Sequence, residues 1–131
     1  MKQILKILII EDNPSDAGLI IRHIQKAGYE VIYADTGEQG REMARRLHPD
    51  LIMLDINMPG GDDGWKTANL IRNEPGTTTG NIPIAFLSNA DLPIESQKWM
   101  KEFGVANYIQ KGVSNDEFVV RVKKILDNPV L

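Results

Sequence analysis

Leu51-Ile52-Met53-Leu54-Asp55-Ile56-Asn57-Met58-Pro59 is the stretch that decides the fold. Four apolar residues run without alternation into one carboxylate, Asp55, and a proline then ends the run. A short unbroken apolar run bounded by turn residues is the pattern of a strand buried on both faces, as in parallel sheets. Asp55 then stands at the carboxyl end of a central strand, the edge where open α/β sheets bind ligands. Taken alone, an Asp at a strand end is also an ordinary turn residue. The flanking sequence separates the two readings.

Upstream, residues 4–10 are rich in Ile and Leu and stop at Glu11-Asp12-Asn13-Pro14. Asn13 suits an N-cap and Pro14 the first position of a helix. Ala17, Ile20, Ile21 and Ile24 follow at helical spacing up to Gly28. Residues 29–34 alternate as a second strand, nearer a sheet edge, and Thr36 caps a second helix whose inner face is Gly40, Met43, Ala44 and Leu47. His48-Pro49-Asp50 ends that helix before the central strand.

Downstream, Gly60-Gly61-Asp62-Asp63-Gly64 reads as a turn, and a third helix spans about 65–73 with Ala68 and Ile71 inward. Residues 74–81 are the most loop-like in the chain, and 82–87 form a fourth strand ending in Ser88-Asn89. A fourth helix at 93–103 is closed by Gly104, and a fifth strand at 105–110 ends in Lys111. Ser114-Asn115-Asp116-Glu117 is a capping box opening a last helix with Phe118, Val122 and Ile125 on one face. Strand and helix thus alternate five times, which predicts βαβ units with right-handed crossovers and a parallel sheet.

A chain of 131 residues can bury a real core, and residues 1–131 are expected to form one domain. With 42% hydrophobic and 25% charged residues the composition is that of an ordinary globular protein. A net charge of -3, with both signs spread along the chain, leaves no basic footprint for nucleic acid. The chain has no cysteine, so disulfides and thiolate metal sites are excluded. The apolar run after the basic start is too short for a signal peptide or a membrane span, which makes a cytoplasmic location the default expectation. No G-x-G-x-x-G follows the first strand and no Walker A motif occurs, so dinucleotide and P-loop nucleotide binding are unsupported.

The strand ends carry the chemistry. The first offers Glu11 and Asp12, the third Asp55, the fourth Ser88 and the fifth Lys111. A parallel sheet brings these ends to one rim. Three carboxylates gathered there repel one another, and a hard divalent cation such as Mg²⁺ relieves this. One carboxylate can then serve as nucleophile toward a phosphoryl group, forming an aspartyl-phosphate. The Lys111 ammonium and the Ser88 hydroxyl supply further stabilisation of the charge on the transferring group.

With those residues in place, the whole chain resembles a two-component response-regulator receiver domain of the chemotaxis-regulator type. The likeness lies in Glu11-Asp12, Asp55-Ile56-Asn57-Met58-Pro59, Ser88 and Lys111, each in order at a strand end. It implies an α/β, single-domain (βα)5 flavodoxin-like fold, with a five-stranded parallel sheet of order 2-1-3-4-5 and helices on both faces. It also implies that Asp55 is the phosphoacceptor, that Lys111 contacts a phosphoryl oxygen, and that Glu11, Asp12, Asp55 and the backbone carbonyl of Asn57 hold Mg²⁺. Ser88 and Tyr108 would form the switch, and the fourth helix, fifth strand and fifth helix the output surface. The implied donor is a sensor histidine kinase or histidine phosphotransfer protein, and the implied receiver of the signal an output partner or effector domain. Such a protein catalyses its own phosphorylation and slow dephosphorylation and is not a turnover enzyme; a homodimer through the output surface fits the same likeness, and neither nucleic acid nor membrane is a partner of this domain.

Three positions depart from the family pattern. Gly112 follows Lys111 where a proline in a cis peptide is usual, leaving a trans bond or a cis bond that costs about 2.5–4 kcal/mol without proline. Asn89 follows Ser88 where a small residue is preferred, and the turn after Pro59 is one residue longer than usual. Two other classes of function stand beside the main one. The chain could serve as a phosphorylation-independent interaction module of the same fold, or as a small hydrolase with an aspartyl-phosphate intermediate. The hydrolase pattern wants a second Asp two residues after the nucleophile, where this chain has Asn57. His23 and His48 read as surface histidines, Asp35 and Asp62 as turn residues, Trp65 as packing at the start of the third helix, and Trp99 and Met100 as output surface or plain packing. Whether the chain is a whole regulator or the front of a longer one stays open.

Overall fold

The computed structural model describes residues 3–56, 64–76, 78–89, 92, 94–102, 105 and 107–128, and of Glu95 and Trp99 the backbone alone. The expected positions Asn57, Pro59, Asp62, Phe103 and Gly104, and the Trp99 side chain, lie outside the described residues. The elements alternate throughout: β1 Lys6–Ile10, α1 Pro14–Lys26, β2 Glu30–Ala34, α2 Gly37–Leu47, β3 Leu51–Asp55, α3 Gly64–Arg72, β4 Ile84–Ser88, α4 Ile94–Glu102, β5 Asn107–Gln110 and α5 Asn115–Asp127. All five strands pair in parallel, as the alternation of elements predicts, and in the order β2-β1-β3-β4-β5 that the family resemblance implies.

The apolar runs explain that order. β3 and β4 are buried at every residue and β1 at all but its first, so they fill the middle of the sheet. β2 and β5, with their mixed burial, take the edges. Successive side chains point to opposite faces. Leu8, Ile10, Ile52, Leu54, Ile84 and Phe86 meet Ala44, Ala68, Ile71 and Met100 of α2, α3 and α4. Ile7, Ile9, Leu51, Met53, Leu87 and Ile109 meet Ile20, Ile24, Phe118, Val122 and Ile125 of α1 and α5. Met100 is therefore core packing, and Trp65 tilts against Phe86 with ring centroids 4.7 Å apart.

The helix signals hold with small adjustments. Asn13 Oδ1 accepts from the N–H groups of Ser15 and Asp16, Thr36 Oγ1 from Gln39, and Ser114 Oγ from Glu117. The Glu117 carboxylate pairs with Arg121 on its own helix. α1 stops before Gly28 at φ 99°, a left-handed conformation that glycine adopts freely, and α2 is closed by His48 at φ 45°.

Five expectations need correction. β1 and β5 start two residues later than read, at Lys6 and Asn107, and β4 starts two later at Ile84 and takes in Ser88 as its last residue. Apolar flanks such as Val105 are buried without joining the ladder. The loop after α3 is not featureless: Thr79–Asn81 forms a 3-10 turn, pinned where Thr79 Oγ1 donates to the Ile71 carbonyl and Arg72 to the Ile82 carbonyl. His23 is half-buried rather than fully on the surface: it flanks the buried stripe of Ile20 and Ile24 and lines a cavity with Asn115, Asp116, Val119 and Val120 of α5.

Candidate functional site

The backbone carries the sheet's ladder past the strand ends. The Glu11 N–H donates to the Ala34 carbonyl at 3.0 Å, Ile56 to Leu87 at 3.1 Å and Lys111 to Ser88 at 2.7 Å. Residues separated by up to a hundred positions are thereby set on one rim by main-chain bonds. α3 starts hard against this rim. A Cβ on Gly64 would lie 2.4 Å from the Asp55 carbonyl oxygen and 2.7 Å from the Ile56 Cα, so only glycine fits there. The Gly64 N–H in turn donates to the Ile56 carbonyl at 2.9 Å.

Glu11 and Asp55 are both buried, at 0% and 5% exposure, and Asp12 is half-buried. Each of the three offers a carboxylate oxygen, and these oxygens lie within 4.8 Å of one another. The Lys111 ammonium enters the same space. It donates to Glu11, to Asp55 Oδ2 at 3.3 Å and to Asp16 Oδ2 at 3.1 Å. Ser88 is buried at the end of β4, one position beyond the Asp55–Leu87 pair. Tyr108 faces Phe86 across β4 and β5 and, like Leu92, packs half-buried on the core cluster that holds Met100. Asp35 lies in an exposed bend, and His48 is exposed and bonded to Thr78, both away from the cluster. No cis peptide occurs among the described residues, so the peptide before Gly112 is trans.

Two partners escaped the sequence reading. Asp16 in the first turn of α1 joins Lys111, and the Tyr33 hydroxyl on edge strand β2 donates to the Glu11 carbonyl at 2.7 Å. Asp16 is the third residue after the N-cap Asn13, in the first turn of the helix that follows Glu11-Asp12, and that position was the available signal. Burial, with the carboxylates of Asp35, Glu11 and Asp12 nearby, holds the Tyr33 phenol above its ordinary value and so keeps it a donor.

Charge in this cluster is poorly balanced. Burial, and then the hydrogen bond to Asp55, push the Glu11 carboxyl from 4.5 up to about 8 against the pull of Lys111. Burial works against the Lys111 ammonium, yet Glu11, Asp16 and Asp55 together leave it above its ordinary 10.5. A carboxyl whose folded value is raised holds a proton that the unfolded chain releases. Its stabilising contribution is full below about pH 4.5 and is lost as pH rises through about 8. The metal-free chain is therefore expected to lose thermal stability between those limits when scanned in chelator, and Glu11→Gln to flatten that slope. An unchanged slope in the variant would remove Glu11 as its source.

Comparison with known proteins gives the same picture. The family model of the response regulator receiver domain matches residues 7–123. The chain is 27% identical over 121 residues to Protein PilH of Pseudomonas aeruginosa, covering 92% of this chain and 97% of that protein. It is 34% identical over 121 residues to the DNA-binding dual master transcriptional regulator RpaA of Synechocystis sp., covering 92% of this chain and 48% of that protein. It thus spans nearly all of the first relative and about half the length of the second. The chemotaxis protein CheY4 of Vibrio cholerae superposes with a TM-score of 0.85 at 24% identity, covering 94% of this chain and 99% of that one, a likeness of fold. Sheet order, strand-end residues and matched family describe one kind of molecule: this chain belongs to the response regulator receiver domains of two-component signalling.

Proposed function

We propose that Asp55 accepts a phosphoryl group from the phosphohistidine of a sensor histidine kinase or histidine phosphotransfer protein, in a Mg²⁺-dependent reaction. The observation that carries this reading is the meeting of the Lys111 ammonium with buried Asp55 inside a cluster of three carboxylates. That cluster fits Mg²⁺, which takes hard oxygen ligands and offsets the negative charge of gathered carboxylates. Glu11, Asp12 and Asp55 would hold it, with the Asn57 backbone carbonyl assigned by family likeness. Bound there, Mg²⁺ supplies positive charge beside the phosphoryl oxygens.

An Asp55 carboxylate oxygen forms the new bond to phosphorus as the bond from phosphorus to the donor's imidazole nitrogen breaks, and that nitrogen keeps the electron pair. Lys111 and the Ser88 hydroxyl meet the charge on the transferring oxygens. Each chain carries one phosphoryl group until water removes it, so the protein signals rather than turns over substrate. Ser88 ends β4 two positions beyond the Phe86–Tyr108 pair, and Tyr108 packs on the cluster that holds Met100 of α4, which supports a switch passing from the rim to the surface of α4, β5 and α5. An output partner, an effector domain or a second copy would read that surface. No described helix is long and apolar enough to cross a membrane, and we place the domain, residues 1–131, in the cytoplasm as part of the same reading.

Acetyl phosphate tests this without a cognate kinase. After incubation with Mg²⁺, mass spectrometry of the trapped acylphosphate is expected to find phosphate on Asp55, and none when Mg²⁺ is chelated. Phosphate on another residue, or no acylphosphate at all, would overturn the reading, and the second result would favour a phosphorylation-independent interaction module.

A further inference from the structure

We infer that Asp16 is a positioning residue for Lys111, an inference that rests on the phosphoacceptor reading and extends it. Among the described residues the Lys111 ammonium has three carboxylate partners: Glu11, Asp55 Oδ2 at 3.3 Å and Asp16 Oδ2 at 3.1 Å. Two of these belong to the group of oxygens suited to a divalent cation, and Asp16 does not. A cation held by Glu11 and Asp55 neutralises their pull on the lysine. Asp16 then keeps its full charge for Lys111 when the other two have given theirs up.

The lysine needs such a partner. Its side chain is a flexible four-carbon stem carrying a point charge. The following residue, Gly112, is exposed, and apart from its chain neighbours no described atom lies within 4 Å of where its Cβ would be, so a glycine here adds none of the restraint that a proline would. The Lys111 N–H donates to the Ser88 carbonyl at 2.7 Å, a bond that holds the backbone and does not set where the ammonium lies.

Asp16, in contrast, is well anchored. Pro14 opens α1, and Asn13 Oδ1 accepts from the Asp16 N–H at 3.1 Å. The Asp16 side chain is 40% exposed, so it bears little desolvation penalty, whereas the Lys111 side chain is 9% exposed. From the first turn of α1 it reaches the end of β5 and holds the ammonium beside Asp55, where a phosphoryl oxygen would need it. The same geometry explains how this chain does without a proline after Lys111: the lysine is restrained through its head group instead of through its loop.

Beryllofluoride, which mimics a phosphoryl group on aspartate, is the probe. Its half-saturation at saturating Mg²⁺, and the half-saturation of Mg²⁺ alone, are read from Trp and Tyr fluorescence for wild type, Asp16→Asn and Asp16→Glu. Asp16→Asn is expected to weaken beryllofluoride binding about three- to five-fold, the range for a partly exposed ion pair. Asp16→Glu should recover most of it, and Mg²⁺ half-saturation should hold in both. Thermal unfolding confirms that each variant is folded. Unchanged or tighter beryllofluoride binding by Asp16→Asn overturns the inference, because removing an anion then only lessens repulsion. Equal losses in the Asn and Glu variants overturn it as well, by assigning Asp16 a structural role, and so does a matching loss of Mg²⁺ affinity. If the wild-type chain fails to bind beryllofluoride, the phosphoacceptor reading itself fails; if it binds and Asp16→Asn binds as well, only the role of Asp16 fails.

Discussion

Asp55→Asn is expected to abolish phosphoryl acceptance and, in the same molecule, to stabilise the metal-free chain by about 1–2 kcal/mol. The two effects share one cause. Asp55 is buried against Glu11 and near Asp12, and the ammonium of Lys111 is divided among Asp55, Glu11 and Asp16. Exchanging the carboxylate for an amide of nearly the same shape removes the nucleophilic oxygen and one of the mutually repelling charges. Lys111 keeps its bonds to Glu11 and Asp16. Urea unfolding in chelator reads the gain, and its sign should reverse at millimolar Mg²⁺, because the wild type gains a cation that the variant holds poorly. Lower stability of the variant in chelator would show that Asp55 is well compensated without metal.

Lys111→Met should move stability the other way. Removing the one cation seen among Glu11, Asp16 and Asp55 in the described residues breaks a largely buried set of ion pairs, a change that costs about 3–5 kcal/mol when a charge is left behind. The loss grows with pH, since protonation of Glu11 relieves the crowding in acid. Phosphoryl acceptance should fall about a hundred-fold, the scale of losing one preorganised charge contact to a transferring group. Added Mg²⁺ should restore much of the stability and little of the rate. Equal recovery of both would mean that Lys111 acts on the carboxylates and never on the phosphoryl group.

How far the sequence foretold all this depends on the kind of signal. The unbroken runs at 51–54 and 84–87 required strands buried on both faces, and parallel order followed from the alternation of elements. Asn13, Thr36 and Ser114 announced their helices because capping is a local bond between near neighbours. Glu11, Asp12, Asp55, Ser88 and Lys111 were legible because strand ends in one parallel sheet share a rim. Asp16 and Tyr33 were not, since each reaches the rim from a different element and nothing in local pattern says which way a side chain on a helix or edge strand will lean. His23 failed for a related reason: its surroundings include residues of α5, nearly a hundred positions away. The peptide at Gly112 was left open by sequence and is trans in the fold.

The ladder bonds that run on to Glu11, Ile56 and Lys111 are made by main-chain atoms, whatever side chains those positions carry. The scaffold thus holds addresses, and the residues at them are tenants. A protein engineer could install other ligands or nucleophiles at 11, 12, 55, 88 and 111 and find them delivered to the same place, provided that Gly64 stays. Divergence among such domains has the same freedom: their chemistry can be rewritten, or erased, while the platform that presents it persists.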